Sequence, residues 1–235
     1  MVPETVLAEA VRTGLNVAFI GEAGAGKERA ARLLHAYKKY DDFQKYDFQN
    51  GVSELWSLAA KFVNDFNLWL AESLKPKKVN FLRNIHALDH KQINYIIEYL
   101  QSLLNGKEIP PKEFLSAGLI CSCEPRAAIA SPWKELIVQF FPIEINIPPL
   151  RQRKIELPQL VSEILKEYQL ATNKSVAGIQ PAAMEILHDH HWPGNISELK
   201  SVLGQACALT DDRKLISRDI IAKRIKVSGS VSTVK

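Results

Sequence analysis

Apolar positions along this chain follow two rhythms, one of strands and one of helices. Short unbroken runs at Val17–Ile20, Val79–Leu82, Leu115–Ser122 and Ile143–Ile147 have strand length and predict buried strands. A further short strand is expected near Tyr46–Phe48, inside an otherwise polar connection. Apolar residues three and four apart predict helices between these runs. Pro3–Thr13 places Val6, Leu7, Ala10 and Val11 on one side, and Gly14 ends it. A second helix carries Ala30, Leu33 and Leu34. The longest, Ser53–Leu74, repeats through Leu55, Leu58, Ala59, Phe62, Val63, Phe66, Trp69 and Leu70, until Lys75-Pro76-Lys77-Lys78 breaks it. Asp89 is placed to cap a helix reaching Leu104, with Ile93, Ile96, Ile97 and Leu100 inward and Gly106 beyond its end. Glu124-Pro125 closes the third long strand, and Pro132–Gln139 is a short helix.

Strands alternating with helices predict an α/β fold, a parallel sheet covered on both faces. From Pro148 onward the pattern is helical, over Ile155–Ala171, Pro181–His190, Asn195–Leu209 and Ser217–Ile225, with no strand expected. The expected organisation is therefore an α/β core over 1–149, a small helical domain over 150–225 and a small, polar, frayed tail over 226–235.

The turn after the first strand carries the chemistry. Gly21, Glu22, Ala23, Gly24, Ala25, Gly26, Lys27, Glu28 and Arg29 link a buried strand to a helix, with the spacing Gly21-xxxx-Gly26-Lys27 of a phosphate-binding P-loop. Such a loop turns several backbone N–H groups toward one phosphate, which needs backbone angles that glycine reaches without strain. The helix start adds partial positive charge, and Lys27 adds a full charge near the β- and γ-phosphates. Glu28 stands where most P-loops carry Ser or Thr to hold magnesium.

Composition narrows the class. Of 235 residues, 46% are hydrophobic and 24% charged, a globular balance. A net charge of +4 is too mild to argue for nucleic acid by itself. No apolar run approaches bilayer length and no signal segment opens the chain, so a cytoplasmic protein with no membrane partner is expected. Three cysteines without zinc spacing, Cys121, Cys123 and Cys207, read as buried thiols. The cluster His188-Asp189-His190-His191 lies at a helix end, where adjacent side chains diverge, so no metal site is expected.

Three blocks in order, GEAGAGKERAARLLH, INIPPLRQRKIELPQLVSEIL and HHWPGNISELKSVL, carry a family likeness. Together they resemble the AAA+ domain of the sigma-54-dependent transcription activators, whose P-loop reads GESGTGKE, so that Glu28 is ordinary there. That family follows its last core strand with LPPLRER and an acid, matched by Pro148, Pro149, Leu150, Arg151, Gln152, Arg153 and Glu156. Its lid carries WPGN-x-x-EL, matched by Trp192, Pro193, Gly194, Asn195, Glu198 and Leu199. The resemblance spans Val6 to about Ile225 and implies a P-loop NTPase core followed by a helical lid, with ATP or ADP held between them. It implies that Arg151 and Arg153 reach phosphate at a subunit interface, although a structural pairing with Glu156 is equally open. It also implies that Trp192–Asn195 closes near the adenine.

The departures bear on catalysis. The family's metal-binding and water-positioning acids come from a strand ending LFLDEI; here Arg83 and Asn84 stand in their places. A cation there repels magnesium and an amide cannot serve as a base, so the need for magnesium is left open and Asp89 is the nearest acid in sequence. The trans-acting arginines are replaced around Trp133 and Gln139, the lid arginine by Ser197, and the γ-phosphate sensor Thr-Asn by Ser122-Cys123. The sigma-gripping GAFTGA loop, a receiver domain and a helix-turn-helix are not found. The expectation is an ATP-binding regulatory module with hydrolytic residues lost, acting through protein partners in the transcription machinery. A homo-oligomeric ring is implied by the family but weakened by the missing trans arginines. An active ATPase of the same fold and a nucleotide-independent interaction module are the alternatives.

Overall fold

The computed structural model describes residues 15–38, 42–47, 78–87, 90, 91, 93, 94, 97, 98, 101, 119–172 and 174–231. The helices expected at Pro3–Thr13 and Ser53–Leu74, and the cap at Asp89, lie outside these residues. The chain divides into two compact units, one of residues 2–22 and 26–147, the other of 23–25 and 148–235.

The first unit is built on a five-stranded sheet. Its strands are β1 (Val17–Ile20), β2 (Asp42–Asp47), β3 (Lys78–Arg83), β4 (Leu119–Cys123) and β5 (Ile143–Asn146), in the order β2-β3-β4-β1-β5. All pairings are parallel. β1 lies inside the sheet, and Val17, Ala18 and Phe19 are fully buried, which is why this strand reads as an unbroken apolar run rather than an alternation. The connection out of β1 leads to the β2 edge, whereas the connection out of β4 passes to β5 on the opposite side. The crevice beyond the ends of β1 and β4 is therefore the switch point at which parallel α/β sheets place ligands.

Helix α1 (Lys27–Lys38) buries Ala30, Ala31 and Leu34. Leu33, part of the apolar pattern, is 41% exposed, while Ala31 is fully buried. Helical residues between His90 and Gln101 bury Ile93 and Ile97, as their spacing predicts. A short helix α2 (Pro125–Ala128) and α3 (Trp133–Phe140) follow β4. Asn16, buried before β1, donates its side-chain amide to Phe140 O at 3.0 Å and so ties the start of the central strand to the end of α3. Strand β2, Asp42–Asp47, begins earlier than its aromatic residues suggest, and Phe48 lies outside the described residues. Cys121 and Cys123 are buried; desolvation pushes both thiols up, Cys123 to about 12, so neither is a reactive thiolate.

The second unit packs α4 (Leu157–Thr172), α5 (Pro181–Asp189), α6 (Asn195–Leu209) and α7 (Arg218–Val231) around one core. Leu157, Leu160, Val161 and Ile164 of α4 meet Leu199, Val202, Leu203, Ala206 and Cys207 of α6, the i, i+3, i+4, i+7 stripe of an amphipathic helix on each side. α4 starts two residues later than expected, after two 3-10 turns, and leaves Ile155 91% exposed. Contrary to the all-helical expectation, β6 (Gly178–Ile179) and β7 (Leu215–Ile216) form a two-stranded parallel sheet. Two-residue strands carry no readable alternation, which is why the pattern misses them. α7 also continues to Val231, well past Ile225, through Ser228, Gly229 and Ser230, although Gly is a poor helix former.

Trp192 sits at the centre of this unit, fully buried, with its indole N–H donated to Leu187 O at 2.8 Å. Trp192→Ala is expected to lower the unfolding free energy of the helical unit by about 3–5 kcal/mol, read as a lower denaturant midpoint with far-UV circular dichroism.

Candidate functional site

The glycine loop begins where β1 ends. Gly21 N–H donates to Cys123 O at 3.1 Å, which sets the loop's first residue beside the end of β4. Gly24 and Gly26 have φ of 72° and 102°, in the left-handed region that glycine enters without penalty. α1 then starts at Lys27, so the loop leads directly onto a helix N-terminus. Lys27 is 8% exposed, and its ammonium turns back on the loop, donating to Gly21 O at 2.6 Å and Glu22 O at 2.9 Å. Glu28 faces along the helix and pairs with Arg32 at 3.0 Å, while Arg29 is exposed.

The neighbouring edge lies at the end of β3. Arg83 is the last strand residue, in register with Asp47 of β2. Asn84 is buried with φ 58°, a conformation Asn tolerates better than most residues, and its backbone N–H donates to Ser122 Oγ at 3.0 Å. Ser122 is thus drawn into holding the turn after β3. That turn, a 3-10 helix over Ile85–Ala87, is fixed from the other side by Trp133, whose indole N–H donates to Ile85 O at 3.0 Å. Trp133 also packs edge-on against His90, with ring centroids 5.0 Å apart.

This turn presents a pair that sequence reasoning missed. His86 Nε2 lies 3.6 Å from Glu124 Oε1, the carboxylate directly after β4. Burial holds the His86 imidazole below its ordinary range; Glu124 pulls it up and Lys27 pushes it further down. Asp89 lies outside the described residues; the parallel register places Cys123 beside Gly21 and hence a second acid, Glu124, at the loop. Glu124 read in sequence as a strand terminator, and nothing local linked it to His86, 38 residues earlier. Among the described residues, no group of three or more His, Cys, Asp or Glu is placed to hold a metal.

Ala23–Ala25, the tip of the loop, belong to the unit of the helical segments. Within that unit Asn195 is fully buried at φ 54°; its Oδ1 accepts from Leu150 N–H at 2.8 Å and its Nδ2 donates to Ala23 O at 2.9 Å. Ile196 N–H donates to Gly24 O at 3.0 Å. A Cβ on Gly24 would overlap Gly194 O, so glycine is required there for space as well as for φ. Arg153 donates to Ala25 O, to Pro148 O at 3.1 Å and to Glu156 at 3.1 Å, which is the structural pairing considered above. Arg151 is exposed, and Pro193 is exposed beside the buried Trp192. His190 accepts from Trp192 N–H at 3.0 Å and stacks edge-on with its indole, whereas His188 and His191 face solvent.

Residues 151–233 match the family described as AAA+ ATPase lid domain. Among curated proteins, the transcriptional regulatory protein ZraR of Salmonella typhi is 31% identical across 89% of this chain and 52% of its own length. The phenol regulator MopR of Acinetobacter guillouiae is 35% identical over 82 residues, 35% of this chain and 14% of its own. The chain thus spans at most about half the length of these two relatives. Among solved structures, NtrX from Brucella abortus in complex with ATP superposes with a TM-score of 0.68 at 18% identity, covering 96% of this chain and 55% of that one. RuvB of Thermotoga maritima gives 0.54 at 17% identity, covering 95% and 66%. No helix among the described residues is long and apolar enough to cross a membrane.

Asn195→Ala should leave Leu150 N–H buried without its partner, costing about 1–3 kcal/mol, while Ala23 O, on an exposed residue, can turn to water. Amide hydrogen exchange at Leu150 is the direct readout, and it should accelerate in Asn195→Ala but stay slow in Asn195→Asp, which retains the acceptor.

Proposed function

We propose that this chain, an AAA+ protein homologous to the sigma-54-dependent regulators, is a nucleotide-binding regulatory module that hydrolyses ATP slowly or not at all. It acts in transcription control through contacts with other proteins. One observation carries the reading: the loop Gly21–Lys27 keeps the conformation and cation that phosphates require, while the adjoining strand ends in Arg83-Asn84. The crystallisation of Brucella NtrX with ATP and with ADP supports nucleotide as the ligand class.

Gly24 and Gly26 turn the backbone so that the N–H groups up to Glu28 cradle phosphate oxygens. Lys27 is pre-positioned: its ammonium, now on Gly21 O and Glu22 O, exchanges carbonyl partners for phosphate oxygens without moving far from the loop. Magnesium, if bound, would supply neutralising charge to the phosphates. Arg83 brings like charge and Asn84 a neutral amide to the positions where the relatives' family holds that metal and polarises water. Each such group supplies powers of ten in phosphoryl transfer, so the chain retains binding and loses turnover. Arg151 and Arg153 serve the fold and any homo-oligomeric contact, with Arg153 committed to Glu156 and the loop tip.

Calorimetry with ATP and ADP, with and without magnesium, beside a phosphate-release assay, tests this. Wild type should bind in both conditions, and a ligand at a hundredfold excess over its Kd should add about 2.7 kcal/mol of stability. Lys27→Ala should weaken binding by about 10- to 150-fold, the loss of a charge-assisted hydrogen bond of about 1.5–3 kcal/mol. Turnover on the order of 1 per second or faster would sink the regulatory reading.

A further inference from the structure

The pair His86–Glu124 belongs to neither the glycine loop nor the core of the sheet, yet it stands at the crevice where both end. The turn that carries His86 is braced at consecutive residues, Asn84 by Ser122 and Ile85 by Trp133, so the imidazole is held in place rather than left on a free loop. Its Nδ1 is buried with no hydrogen-bond partner among the described residues, an unusual cost for a polar atom and one that a ligand would relieve. The charged groups that act on the ring are Glu124 from the end of β4 and Lys27 from the start of α1; Arg83 precedes it by three residues, and exposed His90 packs on Trp133 beside the turn.

We propose that His86 is a second cation for the phosphates of a bound nucleoside triphosphate, taking up a proton as the nucleotide seats beside Lys27; this rests on the nucleotide-binding reading above. In the free protein, burial and the Lys27 charge keep the imidazole neutral. Polyphosphate at Lys27 reverses the second of these influences: it offsets the ammonium and adds negative charge of its own. The proton comes from solvent and no bond to phosphorus forms or breaks. Once protonated, both ring nitrogens are donors, one toward Glu124 and the other, Nδ1, in need of an acceptor that a phosphate oxygen supplies. The charge that magnesium would bring to a site with carboxylates is here brought by imidazolium, in keeping with Arg83 and Asn84 at the end of β3.

The sign follows from linkage. The His86 pKa is higher in the complex than in the free protein, so affinity rises as pH falls through the interval between the two values and is level outside it. Calorimetric titration of ATP near pH 7, in two buffers of different ionisation enthalpy, counts the protons taken up. The terminal phosphate titrates in a similar range, so the difference between wild type and His86→Gln reads the imidazole. Wild type should take up more protons than His86→Gln, and its ATP affinity should gain roughly threefold more between pH 8 and pH 6. In wild type, the imidazole resonance of His86 followed by NMR should titrate at higher pH with ATP than without. Equal proton uptake in the two proteins, or an unmoved His86 titration in ATP-bound wild type, overturns this inference and leaves nucleotide binding standing. No binding heat in either protein, with both folded by circular dichroism, overturns nucleotide binding and this inference together.

Discussion

A single buried amide sets the geometry on which the helical unit depends. Asn195 uses its oxygen on Leu150 N–H and its nitrogen on Ala23 O, so one side chain satisfies backbone groups that are far apart in sequence. Leu150 N–H is buried and would carry a desolvation cost if the amide were lost, whereas Ala23 lies on an exposed turn. Asn is favoured here for two independent reasons. It offers a donor and an acceptor on one short planar group, and it accepts the positive φ that starts α6. Leu and Ile of similar size meet neither demand. The glycine at position 24 answers the same constraint from the other side, since the space beside Gly194 O admits no Cβ. A residue usually explained by phosphate binding is thus also explained by packing, and the two demands fall on one atom-sized gap.

The electrostatic character of the crevice is inverted relative to a magnesium-dependent hydrolase. There, carboxylates hold a divalent cation and the cation holds the phosphates. Here the end of β3 offers arginine and asparagine, the turn beyond it offers histidine, and the carboxylate present, Glu124, arrives from β4 beside that histidine. On the nucleotide-binding reading proposed above, the positive charge that phosphates need would be supplied by side chains, whose strength depends on their proton occupancy and their surroundings. On that reading, such a site answers to pH and to the charge of the ligand.

Much of the fold was legible because several strands read as short apolar runs, β1 most plainly because it is buried on both faces. β1, β3 and β5 were placed to within a residue or so, and α6 was placed at Asn195–Leu209. The glycine loop was legible because its spacing and flanking elements are local. Three features were not. β6 and β7 are too short to show alternation. Leu33 is exposed and Ala31 buried, a rotation of α1 about its axis that the apolar pattern does not encode. His86 and Glu124 meet through β3–β4 pairing, a contact across 38 residues that leaves no local trace. Trp133 was read as a lost arginine position; its indole turns out to brace the turn that carries His86.

The pairing of β6 with β7 has a topological consequence. Gly178–Ile179 and Leu215–Ile216 lie side by side and run in the same direction, so the chain enters and leaves the α5–α6 segment at one clasp. The intervening residues form a closed circuit, a cassette whose two ends are fastened to each other. Such a cassette can drift in sequence or be exchanged between scaffolds with little disturbance at its borders. Asn195 qualifies that freedom. Because its amide reaches outside the clasp to Ala23 and Leu150, the cassette is portable only together with a glycine loop shaped to receive it. The cassette and the loop tip thus form a discontinuous pair of pieces, joined by hydrogen bonds rather than by chain.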